Sequence, residues 1–501
     1  MPKINSLLVA NRGEIALRIM RTAREMGIRT YAVYSEADRD APHVRYADAA
    51  FCLGPAPSAQ SYLRGDLIIQ LCLDHRIDAI HPGYGFLSEN AGFVEKVTQA
   101  GIIFIGPPPG AMQQMGDKIS AKQTVKAYGV PLVPGMDEAI EDVVAAQQVA
   151  DSIGYPVLIK AAAGGGGKGM RIVEQAADFV GQMERAVSEA QNAFGDGSVF
   201  IEKYVTSPRH IEIQVLADLH GHTVYLFERE CSIQRRHQKL VEEAPSSVLT
   251  PEKRRLMGEA AVRVCQSCGY TNAGTVEFLL DDQHQFYFLE MNTRLQVEHP
   301  VTEMITGLDL VREQIRIAEG HPLSFTQEDL QLRGHAIEIR VCAEDPANNF
   351  LPDTGTLHIY RRPSGAGIRV DDGFEQGMEI PIHYDSMLGK LIVYAPDRQA
   401  AIARMLRAID DFAIVGVHTT LDFCRYVLEH PAFVSGQFDT HFIRLHFPSP
   451  DVLRRTLTAD EALAAALVSE LILNQPQGLS EASPAHPAPP QSAWRLRRRY
   501  R

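Results

Sequence analysis

The stretch 286–300 constrains the fold more than any other part of this 501-residue chain. It begins as an aromatic run and continues with polar residues at every second position, namely Glu290, Asn292, Arg294, Gln296 and Glu298. Because side chains of an extended strand alternate between two faces, these five residues are predicted to share one face. The opposite face is predicted to be buried, since the intervening residues are the apolar Leu289, Met291, Leu295 and Val297.

A partner strand is predicted immediately before this stretch. The pattern indicates a strand at 274–280, a turn at 281–284 and a returning strand from 285. If Leu280 pairs with Gln285, Glu277 lies opposite Phe288 and becomes a diagonal neighbour of Glu290, about 7–8 Å away at the backbone. Two carboxylates beside the amide of Asn292 would suit Mg²⁺ held mainly through phosphates. A solvated ladder of surface polar residues is the alternative, and the pattern alone leaves it open.

Bulk properties exclude several classes of protein. The net charge of −13 argues against a nucleic-acid partner. No apolar run approaches the roughly 18 residues of a membrane span, and no secretory leader opens the chain. Seven scattered cysteines are typical of a reducing compartment. We therefore expect a cytoplasmic enzyme of about three domains, without a membrane or nucleic-acid partner.

The N-terminal part has the rhythm of a parallel α/β sheet. Residues 4–10 are predicted to form a strand, 14–26 a helix ended by Gly27, and 29–34 the next strand. A dinucleotide fingerprint is absent from the first turn. The glycine-punctuated loop within 79–90 either approaches a ligand closely or is a plain turn.

A four-glycine run follows a predicted strand at 155–160 that ends in Lys160. Open backbone N–H groups beside a lysine would favour phosphate oxygens, although a flexible linker has the same composition. Helices are predicted at 117–128, 251–268 and 398–410, and as one helix within 299–320. Residues 231–239 taken alone would be a solvated charged run. At the C-terminal end we expect an amphipathic helix at 458–473, a disordered Pro-rich linker at 476–492 and a basic tail.

Several long motifs, in this order, resemble the biotin carboxylase family. They are Asn11-Arg-Gly-Glu-Ile-Ala-Leu-Arg18, His81-Pro-Gly-Tyr-Gly-Phe-Leu-Ser-Glu-Asn90, Met115-Gly-Asp-Lys118, Gln234-Arg-Arg-His-Gln-Lys239 and Glu290-Met-Asn-Thr-Arg-Leu-Gln-Val-Glu-His-Pro-Val-Thr-Glu-Met304. The resemblance runs to about residue 447. It implies an α/β fold (α+β overall) and a reaction that makes carboxybiotin from ATP, bicarbonate and biotin.

The resemblance also implies a domain arrangement. A Rossmann-like N-terminal domain would occupy 1–116, and an ATP-grasp domain would occupy 117–332 with a mobile glycine-rich lid at about 133–204. A C-terminal biotin carboxylase domain would occupy 333–447, followed by an extension at 448–501.

Site residues are carried over by motif. ATP would be contacted by Lys118, Lys160, Gly166, Gly167, Glu202, Lys203, Tyr204, Val205, His210, Gln234 and His237. Magnesium or manganese would be held by Glu277, Glu290 and Asn292. Bicarbonate and biotin would meet Lys239, Arg294, Gln296, Val297, Glu298, Tyr84 and Arg340. Among these, Glu298 would be the base, and Arg340 would face the biotin ureido group.

The resemblance leaves some features open. Ala163 stands where the family usually has glycine, and Ala366 replaces a dimer-contact aromatic, although Arg21, Glu25 and Arg369 keep a homodimer possible. A carrier's biotinylation motif is absent, so a biotin carboxyl carrier protein and carboxyltransferase subunits are expected on separate chains. Another ATP-grasp ligase and a non-catalytic nucleotide-sensing assembly subunit remain as alternatives. The final carboxyl acceptor is not specified by the sequence.

Overall fold

The computed structural model describes residues 3–136, 139–161, 170–236, 238–453 and 459–473. The chain divides into two compact units, residues 1–453 and 454–501. The candidate site residues all belong to the first unit. In the second unit the structure describes one helix.

The strands are β1 Ser6–Val9, β2 Arg29–Ser35, β3 Ala49–Gly54, β4 Ala79–His81, β5 Ile103–Phe104, β6 Val157–Ala161, β7 Met170–Val173, β8 Val199–Lys203, β9 Arg209–Ala217, β10 Thr223–Arg235, β11 Gln238–Ala244, β12 Asn272–Leu280, β13 Phe286–Asn292, β14 His335–Cys342, β15 Glu344–Asp345, β16 Leu351–Pro352, β17 Ile359–Arg361, β18 Ile368–Asp372, β19 Met387–Ala395 and β20 Ala413–Val415.

The helices are α1 Gly13–Glu25, α2 Pro42–Tyr46, α3 Gly65–His75, α4 Ala91–Gln99, α5 Pro109–Gly116, α6 Lys118–Ala127, α7 Val143–Ile153, α8 Ala176–Phe194, α9 Pro251–Ser267, α10 His299–Thr306, α11 Leu310–Ala318, α12 Arg398–Asp411, α13 Leu421–Glu429, α14 Pro431–Val434, α15 Phe442–His446 and α16 Ala459–Leu473. Among the residues described, none of these helices is both long and apolar enough to span a membrane.

The N-terminal sheet is parallel and confirms the predicted α/β class. Its strand order is β3-β2-β1-β4-β5. Helix α1 follows β1 directly and packs its apolar side on the sheet, with Ile15 and Ile19 in the core beside Leu7. Gly27 ends this segment because its φ of +77° lies in the left-handed region, where glycine carries no steric penalty. The sheet thereby brings the loops after β1 and β4 to the same edge.

The large antiparallel sheet carries most of the candidate site. Its order is β13-β12-β9-β10-β11-β14-β19-β18. Strand β11 belongs to the central segment and pairs with β14, which opens the C-terminal segment. The pairing makes one continuous surface of strands from both segments. A separate sheet, β7-β6-β8, packs against α7 and α8 around Val157, Phe179 and Ile201.

Several local predictions are wrong in instructive ways. Of residues 231–239, expected to be solvated on their own, Cys231 in β10 and Lys239 in β11 are buried, whereas Arg236 is exposed as expected. The single helix expected within 299–320 is two helices, α10 and α11, because Gly307 takes a left-handed φ of +77° between them. Helix α16 is not amphipathic, since its apolar residues surround the axis. The linker at 476–492 and the basic tail lie outside the described residues.

Candidate functional site

The two predicted carboxylates are brought together by a hairpin with a different register from the one expected. Leu280 pairs with Phe286 rather than with Gln285. A bulge between Glu277 and Phe278 then shifts the register by one residue, so that Glu277 faces Glu290 directly across the strands. The shifted start alone would have sent the two side chains to opposite faces. The bulge restores their common face.

The strand itself is shorter than predicted. Strand β13 ends at Asn292, and residues 293–298 form a turn that leads into α10. The expected extended row from Arg294 to Glu298 is therefore wrong, because Pro300 at the first turn of α10 favours a helix start at this point. The side chains nevertheless converge. Asn292 Nδ2 and Gln296 Nε2 donate to Glu277 Oε1 at 2.9 and 2.8 Å.

Lys239 stands at the centre of the site. Its ammonium donates to Glu212 at 2.5 Å, to Glu277 at 3.0 Å and to Glu298 at 2.6 Å, and all four residues are buried. The lysine comes from β11, two of the carboxylates come from β9 and β12, and the third precedes α10. One cation thereby joins the predicted metal residues to the predicted base.

The electrostatics of this cluster keep Glu277 and Glu298 ionised. Burial acts to raise the pKa of Glu298, but the charges of Lys239, Arg340 and Arg229 hold that pKa well below its ordinary value. Burial opposes ionisation of Glu277 too, yet Lys239 and His210 lower its pKa. The pKa of Lys239 is raised in spite of burial, since three carboxylates surround it. The site therefore holds permanent charges of both signs at neutral pH.

Arg229, which sequence reasoning missed, underlies the cluster. It is fully buried and donates from Nε to Glu212 at 2.5 Å, from Nη1 to Gln214 at 2.7 Å and from Nη2 to Gln296 at 2.5 Å. A buried guanidinium must have its donors satisfied, and these partners do so. The signal available in the sequence was a charged triplet, 228–230, inside a run otherwise typical of a strand.

The predicted nucleotide residues form a second group. Lys160 Nζ donates to Glu202 at 2.7 Å, and Lys122 donates to the same carboxylate. Lys203 Nζ donates to the main-chain oxygens of Gly154 and Tyr155 at 2.9 and 3.0 Å. Phosphate oxygens could displace the carboxylate of Glu202 and bind the ammonium groups of Lys160 and Lys122 in its place.

His210 links this group to the central cluster. Its Nε2 lies 2.9 Å from Glu277 Oε2, and Gln234 Nε2 donates to its Nδ1 at 3.1 Å. Although burial opposes the charged form, the carboxylate of Glu277 raises the pKa of His210. Tyr204 and Val205 are partly buried just beyond the end of β8.

Some predicted nucleotide contacts cannot be placed. Gly166, Gly167 and His237 lie outside the described residues, as does Ala163. Lys118 is the first residue of α6, and only its backbone is described.

The predicted bicarbonate and biotin residues include two arginines, of which Arg340 binds the same glutamate, Glu298, as Lys239 does. Arg340 Nη2 donates to Glu298 Oε2 at 3.0 Å, and its Nε donates to Glu242 Oε1 at 2.6 Å. Arg294 Nε donates to Glu89 at 2.9 Å, and its Nη2 donates to Asn292 at 3.1 Å. Arg294 lies on the turn 293–298 and Arg340 contacts the last residue of that turn, and guanidinium groups are suited to binding a small oxyanion.

Tyr84 and Val297 are connected through a buried lysine. Lys390 is fully buried and donates to the main-chain oxygen of Val297 at 2.7 Å, while its Nζ lies 3.2 Å from Glu14 Oε1. The hydroxyl of Tyr84 donates to the same carboxylate oxygen. Tyr84 therefore contacts the site through Glu14 and Lys390. Glu89 and Lys390 were not selected from the sequence.

The donor set fits a hard divalent cation. Ligand atoms of His210, Glu212 and Glu277 lie within 4.8 Å of one another, and Glu290 faces Glu277 across the hairpin. Carboxylate and amide oxygens are the ligands that Mg²⁺ and Mn²⁺ prefer, and few of them are needed where phosphates supply the rest. Glu277, Glu290 and Asn292 meet this requirement by residue type and by strand position.

Three sequence families match consecutive parts of the chain. "Biotin carboxylase, N-terminal domain" matches residues 3–112, "Carbamoyl-phosphate synthase L chain, ATP binding domain" matches 117–326, and "Biotin carboxylase C-terminal domain" matches 338–445. The three matched ranges follow one another along the chain without overlap, and together they cover most of residues 3–445.

Relatives of known identity match over most of the chain. Biotin carboxylase of Nostoc sp. is 53% identical over 442 residues, which cover 88% of this chain and 99% of the relative. Biotin carboxylase 1 of Bacillus subtilis is 52% identical over 444 residues, which cover 88% and 99%. The biotin carboxylase domain dimer of Hydrogenobacter thermophilus 2-oxoglutarate carboxylase, solved with MgADP, ADP and bicarbonate, has a TM-score of 0.84 at 46% identity and covers 91% and 100%.

Proposed function

Because the chain belongs to the biotin carboxylase family, we propose that it carboxylates biotin on a separate carrier protein with bicarbonate, at the expense of ATP. It is an ATP-dependent carboxylase, and ATP, a divalent cation and carrier-bound biotin are its cofactors and substrate. The observation that carries the proposal is the position of Lys239, whose ammonium binds Glu277 on one side and Glu298 on the other. Phosphoryl transfer and proton removal would thus take place on opposite sides of the Lys239 ammonium.

The nucleotide end of the site would hold and align the triphosphate. Lys160 and Lys122 would exchange Glu202 for phosphate oxygens, and His210 would stay fixed by Glu277. Mg²⁺ or Mn²⁺ would be held by Glu277, Glu290 and Asn292 and would supply charge neutralisation for the transferred phosphoryl group. Positioning and neutralisation are the main requirements of this reaction, since little covalent chemistry falls to the protein.

The anion end would activate bicarbonate. Arg294 would bind one edge of the anion, and Gln296, held by Arg229, would orient it. Glu298 is ionised and so can accept the proton of bicarbonate as the oxygen attacks the terminal phosphorus of ATP. The bond between the terminal phosphorus and the β-phosphate oxygen would break, so that the products are ADP and carboxyphosphate, and carboxyphosphate would then break down to CO₂ and phosphate. Its low pKa makes Glu298 a weak base on its own, so movement of Lys239 towards the incoming phosphate would be needed to raise the pKa of this carboxyl.

Biotin would react at Arg340. The phosphate released from carboxyphosphate would take the proton of the ureido nitrogen, the guanidinium would stabilise the resulting anion, and the nitrogen would then bond to the carbon of CO₂. Arg340 donates a hydrogen bond to Glu298. The residue that would stabilise the biotin anion therefore adjoins the residue that would take the proton of bicarbonate. Tyr84 and Val297 would complete this end of the site through Lys390.

Partners and location follow as proposals. A biotin carboxyl carrier protein and carboxyltransferase subunits are proposed on other chains, and a homodimer is proposed because one solved relative is a dimer. Arg369 pairs with Glu303 and Asp371, and Glu25 pairs with Arg312, so these dimer candidates also have contacts within the chain. A cytoplasmic location agrees with seven unpaired cysteines. The domain limits at residues 116, 332 and 447 are also proposals.

The proposed function is tested by following the carboxyl group itself. The purified chain is incubated with ATP, Mg²⁺, labelled bicarbonate and a biotinylated carrier protein, and acid-labile labelled carboxybiotin is measured together with ADP. We expect both products in equal amounts, and we expect neither when bicarbonate is omitted. Sustained ADP formation without bicarbonate, or no labelled biotin with a biotinylated carrier, would refute the proposal.

A further inference from the structure

Two carboxyl groups behind Arg340 have no place in the mechanism above. On β14 the residues alternate, so that Ile337 and Ile339 enter the hydrophobic core while Glu338 and Arg340 point to the other face. Glu242 on β11 is the direct cross-strand partner of Glu338. Side chains at such positions have Cβ atoms about 4.5–5.5 Å apart, close enough for the two carboxyl groups to meet.

Both carboxyl groups are fully buried, and most of their oxygens lack donors. Glu242 Oε1 accepts from Arg340 Nε at 2.6 Å. Glu242 Oε2 and both oxygens of Glu338 have no hydrogen-bond partner among the residues that the structure describes. Glu242 and Glu338 each have an exposed fraction of 0%. A buried ionised carboxylate without donors is strongly disfavoured, whereas a protonated one can donate to its neighbour.

The surrounding charges do not compensate for two full negative charges. The titratable groups that face the pair are Arg340 on β14, Lys390 on β19, Lys239 on β11, Glu298 just before α10, Cys231 on β10 and Cys424 on α13. Lys239 and Arg340 are already bound to other carboxylates. Lys390 is shared with Glu14 and the main chain.

Burial accordingly raises the pKa of Glu242 to about 7, against the charge of Arg340. Burial also raises the pKa of Glu338 well above its ordinary value, and the neighbouring Glu242 raises it further, against the charge of Lys390. Two interacting carboxyl groups titrate as a pair, with one proton retained well beyond the pH at which an isolated glutamate loses it.

We propose that Glu242 and Glu338 share one proton at neutral pH and that this proton keeps Arg340 able to stabilise a substrate anion. The inference rests on the proposed role of Arg340. The two glutamates are positioning residues, because they act through the guanidinium rather than on biotin. With one proton the pair carries a single negative charge. Loss of that proton adds a second negative charge beside Arg340, which then attracts the guanidinium away from the substrate and weakens its field.

The expected effect on the reaction is large enough to measure. A unit charge about 7 Å away in a medium of effective dielectric constant about 20 changes the stability of an anion by roughly tenfold to a hundredfold. Carboxylation by the wild-type protein should therefore fall at least about tenfold as pH rises through the apparent pKa of the pair, above about pH 7.

The test compares pH profiles of kcat for biotin carboxylation at saturating ATP and bicarbonate. Glu338→Gln and Glu242→Gln each leave one ionisable carboxyl, so that neither variant can acquire the second negative charge beside Arg340. We expect both variants to lose the alkaline decrease, and Glu242→Gln also keeps an acceptor for Arg340. The control is Glu429→Gln, an exposed partner of Arg425, which should keep the wild-type profile. An unchanged alkaline decrease in both pair variants would overturn the inference.

A second measurement does not depend on activity. Infrared difference spectra of the wild-type protein minus either pair variant should contain a protonated carboxyl band at about pH 7 that disappears on alkalinisation. Glu14, whose pKa burial also raises to about 7, cancels in the difference. Absence of the band would overturn the shared proton even if catalysis is normal. A wild-type protein that makes no carboxybiotin but gives the band would refute the proposed function alone.

Discussion

Replacing Lys239 with methionine tests whether one buried ammonium holds the site together. The substitution keeps a long unbranched side chain but removes the charge that binds Glu212, Glu277 and Glu298. Breaking a buried ion pair by removing one partner costs about 3–5 kcal/mol, since the other partner is left charged without compensation. Here three buried carboxylates depend on the same cation. We therefore expect the free energy of unfolding to fall by about 3–5 kcal/mol at neutral pH in metal-free buffer.

The pH dependence of this loss has a definite sign. In the wild type, burial acts to raise the pKa values of Glu277 and Glu298, but Lys239 lowers both. The two carboxylates therefore stabilise the fold above their unfolded pKa of about 4.3, and this stabilisation is lost as pH falls through their folded pKa values. Lys239→Met removes the largest charge that opposes burial at both carboxyl groups, so both pKa values should rise and acid should destabilise the variant less than the wild type. The difference between the two proteins should thus be largest above about pH 6 and should narrow below about pH 4.3.

Urea unfolding followed by far-ultraviolet circular dichroism measures the difference. The matched control is Lys96→Met, whose partner Asp66 is exposed and whose side chains are 60% and 83% accessible. That variant should lose at most about 1 kcal/mol. Equal losses in the two variants, or a gap that widens on acidification, would refute the reasoning.

Three further predictions concern activity. Arg340→Ala should bind ATP with unchanged affinity but form carboxybiotin about 10²–10³-fold more slowly, the usual cost of one lost oxyanion donor, and wild-type carboxylation would contradict its role. Glu298→Gln should suppress bicarbonate-dependent ADP release, which a coupled assay measures; normal release would remove Glu298 as the base. Glu277→Gln should raise the Mg²⁺ concentration needed for half-maximal ATP binding at least about tenfold, as read by calorimetry, whereas an unchanged requirement would exclude it as a ligand.

The sequence predicted the gathering of Glu277 and Glu290 but not the path of the chain that gathers them. Alternation of residue type predicts which side chains share a face of a strand. It does not predict a β-bulge, in which one strand of the pair has an extra residue. The bulge at Glu277 corrects a pairing that began one residue later than expected. The two shifts of one residue add up to two, which restores the common face and makes the predicted diagonal neighbours directly opposite each other.

The turn after Asn292 shows a different limit of the same pattern. Polar residues at every second position favour a strand, and Arg294 and Gln296 were placed on one for that reason. The chain instead turns and enters α10 at His299. Convergence survived because Gln296 and Asn292 both donate to Glu277, so hydrogen bonding to one buried carboxylate replaced strand geometry as the organising force.

Residues that support the site were hardest to predict, because their importance depends on contacts between distant segments. Arg229 is marked in the sequence only by the charged triplet 228–230, which does not reveal that it joins Glu212 to Gln296 across the sheet. Lys390 similarly reaches Val297 from a strand 93 positions further along the chain. Burying such cations is favourable only if every partner is in place, so their positions restrict which arrangements of the site the fold can adopt. The motif residues specify the chemistry, while Arg229 and Lys390 determine where the turn at 293–298 can lie relative to Lys239.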